Sequence, residues 1–279
     1  MGVLEYLKSS FKRKVARRVT REYPPTIGSF LLEKDGRIDF ANWSNPLIKP
    51  YKIDQNMVDF FRKFIHPGDL VIDIGANIGD TAVPMALAAG AAGLTLAIDP
   101  NPLVFKILEV NASLNKGMQN IQPLCLAISA SDDEFYYISS EASFGNGGIS
   151  KTTNSSHGNY VYPEKIKGVH LKTLLEQDYK DWLPKLSFIK IDTEGYDKEI
   201  IKSISDLLEN SKPVIVAESF DEATVEDKIE LFNVISRHGY DIYYFEDFDI
   251  TAKVVELKDS EALAAWKSTI NIYAVPKKA

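Results

Sequence analysis

Asp73-Ile74-Gly75-Ala76-Asn77-Ile78-Gly79 follows the apolar run Leu70-Val71-Ile72 and precedes an alanine-rich stretch, which marks the end of a strand, a tight turn and the start of a helix. Such a junction suits a cofactor, because glycine lets the backbone turn sharply and approach a ligand, and the first helical turn offers unpaired N–H groups. Dinucleotide binding would want G-x-G-x-x-G, yet Asn77 stands where the bare second glycine should face the pyrophosphate. A carboxylate at Asp73 suits a ligand with an ammonium or sulfonium charge, as S-adenosylmethionine has. Gly75, Asn77 and Gly79 join Asp73 as candidate cofactor contacts, with Asn77 also able to cap a helix starting at Ile78. The run Leu94 to Ile98 ends in Asp99, placed to accept both hydroxyls of a ribose.

Working outward, strand and helix periods alternate. Strands are expected near 69–74, 94–99, 121–127, 186–192, 213–219, 240–246 and 269–275, with helices near 78–89, 102–115, 171–177, 196–209 and 223–238. Strands separated by helices imply right-handed crossovers and a doubly wound, Rossmann-like α/β fold with a mainly parallel seven-stranded sheet. The last strand is expected to insert antiparallel. Ligands in such sheets lie beyond the carboxyl ends of the strands, so Asp73, Asp99, Asp192 and Glu218 would share one rim. Residues 139–165 interrupt the alternation with Gly145-Asn146-Gly147-Gly148 and a serine- and threonine-rich run, and are expected to form a long loop serving as a lid over an acceptor.

Residues 1–53 are expected to form an N-terminal extension, a basic helix and a hairpin cover with Asp35-Gly36 at its turn, and 54–279 the catalytic domain, opened by a helix capped at Asp54. The chain has 279 residues, is 45% hydrophobic and carries a formal charge of −7. Seven basic residues against Glu5 give the first 21 residues +6 and leave −13 on the remainder, so nucleic acid is not the expected partner of the body. In the same segment Val3, Leu4, Leu7, Phe11, Val15 and Val19 recur at near-helical spacing. Two outcomes are open: docking on a membrane surface, or packing of the helix on its own domain with a solvated basic face. Cys125 is the sole cysteine and sits in an apolar run, where a buried thiol is expected, so neither an internal disulfide nor a multi-cysteine zinc site is. No run approaches the roughly 18 apolar residues needed to cross a bilayer, and basic residues interrupt any signal-peptide core. The expected setting is cytoplasmic, with the basic helix as a candidate peripheral contact at the inner membrane surface.

The stretch Leu186-Ser187-Phe188-Ile189-Lys190-Ile191-Asp192-Thr193-Glu194-Gly195-Tyr196-Asp197 ends a strand on three acids within six residues. Together with Asp-Ile-Gly-Ala-Asn-Ile-Gly at 73–79, Asp-Pro-Asn-Pro at 99–102, Asn111 and Val-Ile-Val-Ala-Glu at 214–218, it resembles the FkbM family of S-adenosylmethionine-dependent methyltransferases from about Asp54 to Ala274. One departure is Asp99, where the family usually has glutamate. The resemblance implies methyl transfer to a hydroxyl of a sugar, glycolipid or secondary metabolite, with Asn101 near adenosine, and Ala127 and Ile128 against adenine.

Methyl transfer to a hydroxyl is an in-line displacement that needs alignment and a base for the hydroxyl proton. Candidate catalytic acids are Asp192, Glu194 and Glu218. The same three could instead hold Mg²⁺ or Ca²⁺ through oxygen ligands. Glu194 and Asp197 have a further role open to them, stabilising a helix N-terminus, and Lys190 is either a partner for the acids or a lining residue. His66 and His238 read as helix-terminal residues, His170 has no distinguishing context, and His157 is a candidate base or acceptor contact within the lid. Two other functions are carried alongside: a nicotinamide dehydrogenase using Asp99, and a non-catalytic glycan-binding protein that keeps the fold. Oligomeric state is not legible.

Overall fold

The computed structural model describes residues 3–193 and 195–277. In chain order come α1 (Val3–Arg18), β1 (Pro25–Leu32), β2 (Gly36–Trp43), α2 (Gln55–Arg62), β3 (Leu70–Ile74), α3 (Ala82–Ala89), β4 (Leu94–Ile98), α4 (Pro102–Ser113) and β5 (Ile121–Leu124). Next are β6 (Ala127–Ile128), β7 (Glu134–Ser139), β8 (Gly148–Ser150), β9 (Tyr160–Val169), α5 (Leu171–Asp178), β10 (Leu186–Ile191), α6 (Asp197–Ser203) and α7 (Ser205–Asn210). The chain closes with β11 (Val214–Ser219), α8 (Val225–Ser236), β12 (Tyr240–Phe245), β13 (Val254–Leu257), α9 (Ser260–Ala264) and β14 (Ile270–Pro276). Among the described residues no helix is long and apolar enough to cross a membrane.

The main sheet, among the described residues, has eight strands in the order β13-β12-β14-β11-β10-β3-β4-β5. β3, β4, β5, β10 and β11 run parallel, and β14 lies antiparallel between β11 and β12 as the sequence led us to expect. β3 (LVIDI) and β4 (LTLAI) are buried at every position, which is why they read as unbroken apolar runs: a parallel strand covered on both faces has no solvent side to mark with polar residues. The eighth strand, β13, was not anticipated. It is four residues long, three of them exposed, and offers little periodicity to read.

Three other departures have local causes. α3 starts at Ala82 rather than Ile78, because Gly75 (φ 79°), Asn77 (φ 47°) and Gly79 (φ 98°) hold the intervening segment in left-handed turns. The helix expected over 196–209 is two, α6 and α7, interrupted at Ile204 (φ −106°, ψ 19°). The strand expected over 121–127 splits, since β5 ends at Leu124 and β6 joins a second sheet; the chain passes Cys125 at the surface, not in the core.

That second sheet, β6-β9-β7-β8, enters the stretch expected to be a long loop: β7 and β9 reach into its ends and β8 lies inside it, while 140–147 and 151–159 are turns and loop. Its glycines serve close packing. A Cβ at Gly147 would lie 2.2 Å from the Ile138 carbonyl oxygen, and one at Gly158 2.3 Å from the Ser139 carbonyl oxygen. Composition suggested flexibility where the strands require bare backbone.

Upstream, β1 and β2 form an antiparallel hairpin that buries Ile38, Phe40 and Trp43. Asn111 of α4 holds it to the body. Its side chain accepts from the Ala41 N–H (2.7 Å) and donates to the carbonyls of Ala41 (2.9 Å) and Ile78 (2.7 Å). The residue thus links α4, the hairpin and the turn after β3.

Candidate functional site

A cavity of about 810 Å³ opens beyond the carboxyl ends of β3, β4 and β10, walled on the far side by the small sheet. Its size lies in the range of small-molecule sites. Gly75 and Asn77 contribute from the turn after β3, Asp99 and Asn101 from the turn after β4, Ala127 from β6, and Asp192 from the end of β10.

Asp99 is 7% exposed, and each carboxylate oxygen accepts one backbone N–H, from Asn77 and from Asn101, both at 2.8 Å. Burial pushes its pKa up to about 7 against the lowering effect of those two amides. The amides fix the carboxylate's orientation and leave each oxygen a further lone pair.

Gly75 is required by packing as well as conformation: a Cβ there would lie 1.9 Å from the Asp192 carbonyl oxygen. Asn77 does not cap α3. Its side-chain amide donates to the Tyr51 hydroxyl at 3.1 Å, which brings a residue from between β2 and α2 to the motif. The Tyr51 hydroxyl is pushed up to about 12 by burial and then by the nearby Asp80 carboxylate. Gly79 faces Leu108 of α4, 3.1 Å from where its Cβ would stand, and supports the turn from behind.

Asn101 is saturated by its own neighbourhood. Its side-chain oxygen accepts from the N–H groups of Leu103 and Val104, and its amide donates to the Tyr137 hydroxyl (3.1 Å) and the Phe144 carbonyl (2.7 Å). Both amide hydrogens are therefore committed to joining α4 to the small sheet rather than to a ligand. Ala127 is 3% exposed and lines the cavity with Ile128, both apolar.

Asp73 lies beneath this floor. Its side chain is fully buried, accepts the Thr81 hydroxyl at 2.7 Å and stands 3.3 Å from Lys190 Nζ. Lys190 and Asp73 are register partners on parallel β10 and β3, so sheet pairing brings them together. Lys190 Nζ also lies 3.1 Å from Asp192, which is 39% exposed and faces the cavity. Burial opposes the ammonium, but Asp192 and Asp73, with Asp80, raise its pKa above the ordinary lysine value. Asp80 was missed by sequence reasoning although it directly follows Gly79. Its Oδ1 is out of contact with solvent and without a hydrogen-bond donor, and burial pushes its pKa up to about 7.

The remaining candidates separate. Glu194 lies outside the described residues. Glu218 is half-buried on β11 and does not line the cavity; its N–H donates to Asp197 at 3.0 Å. Asp197 is buried, accepts from the Thr193 hydroxyl at 2.8 Å as well, and is pushed up to about 6 by burial, so it fastens the turn after β10 to β11. Among the described residues no group of three or more His, Cys, Asp or Glu side chains is placed to hold a metal. His157 lines the cavity with its ring against bare Gly148, while His66, His170 and His238 do not.

Residues 73–242 match the family model described as the methyltransferase FkbM domain. Similar proteins include the hexuronic acid methyltransferase AglP of Haloferax volcanii, 25% identical over 169 residues that cover 61% of this chain and 64% of that protein. The methyltransferase sdnD of Sordaria araneosa is 23% identical over 197 residues, 62% of this chain and 73% of that protein. The match thus spans a little under two thirds of the length of the Haloferax protein. Among solved structures, a methyltransferase FkbM from Methylobacillus flagellatus superposes with a TM-score of 0.45 at 12% identity, covering 78% of this chain and 50% of that one.

Proposed function

The chain belongs to the FkbM methyltransferase family, and from that premise we propose that it transfers the methyl group of S-adenosylmethionine to a hydroxyl of a saccharide-like or natural-product acceptor. One observation carries the reading: the matched segment contains the Asp99 carboxylate, aimed at the cavity by two backbone amides. The residues fit the cofactor. Asp99 retains lone pairs for two ribose hydroxyls, Ala127 and Ile128 offer apolar surface for adenine, and Gly75 and Asn77 present main chain at the cavity edge. When bound, S-adenosylmethionine supplies an electrophilic methyl group on a sulfonium sulfur.

Asp192 is the base we favour, being an acid on the cavity wall whose carboxylate is steadied by Lys190. It would accept the acceptor's proton as the new bond to oxygen forms. Glu194 and Glu218 remain proposals for the same role or for orienting the acceptor. Asp73 is not among the cavity-lining residues; it accepts the Thr81 hydroxyl and stands against the Lys190 ammonium, holding it in register. The acidic body disfavours nucleic acid as acceptor, and the name of the Haloferax relative supports a saccharide-like one. The exposed thiol of Cys125 fits a reducing, cytoplasmic setting.

Calorimetric titration with S-adenosylmethionine and separately with NADH tests the cofactor, and mass spectrometry on a glycan and metabolite panel tests transfer. Heat from NADH alone, or cofactor binding without any methylated product across the panel, would overturn the reading in its first or second half.

A further inference from the structure

α1 meets the body through the wrong face for a helix that merely packs on its own domain. Ala16 is fully buried, and Ser9 and Arg13, on the same side of the helix, are half-buried. Leu7 (57% exposed) and Phe11 (69%), one turn apart, lie on the opposite side. Lys14 and Lys8 are exposed and lie to either side of that apolar pair in the helical projection, and exposed Arg18 continues the same face two turns beyond Phe11. Of the two outcomes left open by the sequence, packing with the whole apolar stripe inward does not hold for these residues: the face with Ala16, Ser9 and Arg13 docks, Val15 is half-buried, and Leu7 and Phe11 with their cationic neighbours are presented outward.

We propose that this face of α1 docks on an anionic lipid bilayer. Charge complementarity selects that occupant, since residues 1–21 carry seven basic side chains against one acid. A phenylalanine and a leucine bordered by Lys and Arg suit contact with such a surface, apolar groups entering the acyl boundary and cations meeting the headgroups. The C-terminal end of α1 is joined to the cavity wall. The Arg17 carbonyl accepts the Ala142 N–H at 3.1 Å, the Arg17 guanidinium lies 3.7 Å from Glu141, and that segment leads into the Gly145–Gly148 turn lining the cavity. A bilayer-bound α1 thereby carries the acceptor side of the cavity to the membrane surface; this last placement rests on the methyltransferase reading, whereas bilayer binding does not.

The test is co-sedimentation of the full chain with vesicles of phosphatidylcholine alone and of phosphatidylcholine with phosphatidylglycerol. Binding is expected only to the anionic vesicles, weakened by added salt, with partitioning reduced roughly tenfold or more in a Leu7→Asp/Phe11→Asp variant. A Lys8→Ala/Lys14→Ala variant, which keeps helix propensity, should lose binding in the same direction. Absence of wild-type binding to anionic vesicles, or equal binding by wild type and both variants, would overturn the proposal. So would a wild-type dimer in sedimentation velocity that Leu7→Asp/Phe11→Asp dissociates, because a second copy would then be what covers this face.

Discussion

Lys190 Nζ lies 3.3 Å from Asp73 Oδ1, with both side chains removed from solvent and the two residues paired in register across β10 and β3. Replacing Lys190 with methionine leaves Asp73 buried without its cation, which costs about 3 to 5 kcal/mol when a buried pair is broken on one side. Chemical denaturation should show that loss, and adding Asp73→Asn should recover part of it. A double variant no more stable than Lys190→Met would mean that the pair contributes through packing alone.

Asp99→Ala is expected to weaken S-adenosylmethionine binding roughly tenfold or more, since a charge-assisted hydrogen bond contributes about 1.5 to 3 kcal/mol. The far-ultraviolet circular dichroism spectrum should be unchanged. Wild-type affinity by calorimetry would remove Asp99 from the cofactor site.

Acidity should act in opposite directions on cofactor affinity and on stability. Asp99, with its pKa pushed up to about 7, accepts hydroxyls best when ionised, so affinity should fall roughly tenfold between pH 8 and pH 6. Asp99, Asp80 and Asp197 all have folded values above the unfolded one, so the folded protein holds more protons than the unfolded chain between about pH 4 and 7. Stability is therefore lost as pH rises through that window. Without ligand the midpoint of thermal unfolding should be higher at pH 5.5 than at pH 8, and a flat or reversed profile would contradict the burial of these carboxyls.

Gly75→Ala and Gly36→Ala separate two uses of glycine. Both positions have positive φ, 79° and 75°, but an added Cβ meets nothing within 4 Å at Gly36 and the Asp192 carbonyl oxygen at 1.9 Å at Gly75. Gly36→Ala should cost about 1 kcal/mol, whereas Gly75→Ala should cost several times as much or prevent soluble folding. Equal costs in denaturant titrations would show that the turn after β3 yields without penalty.

Asp192→Asn keeps the volume of the side chain and removes its basicity. Turnover should drop on the order of 10² to 10⁴ with little change in cofactor affinity. If Glu194→Gln shows that loss instead, and Asp192→Asn does not, the base is Glu194.

What sequence could disclose follows from burial and chain order. β3 and β4 declared themselves because both faces are covered, and the strand-to-turn transitions at Asp73, Asp99 and Asp192 located the rim of the sheet. Side-chain destination was less accessible: Asp73 and Asp99 both end strands or lie near their ends, yet one is consumed by Lys190 below the floor and the other opens onto the cavity. Asn101 lines the cavity, and the amide bonds it makes to Tyr137 and Phe144 were not legible because those partners are more than thirty residues away. Tyr51 was assigned to a cover, and only folding brings its hydroxyl to Asn77. In residues 139–165, glycine has one meaning in a loose loop and the opposite one between crossing chains, and composition does not distinguish them.

The small sheet has its own ladder of main-chain hydrogen bonds and joins the α4 end through the Asn101 amide and through a shared apolar cluster, Phe135, Tyr137 and Ile166 with Leu103, Val104 and Leu108. It is in effect a cassette. Exchange of residues 134–169 for the corresponding segment of a relative replaces the cavity wall opposite Asp99, provided the transplant keeps the pairing of β9 with Ala127 and Ile128 of β6, a hydroxyl at 137 and the main-chain carbonyl at 144. Substrate range in such a chain can then diversify by segment replacement, without retuning the strands that hold Asp99.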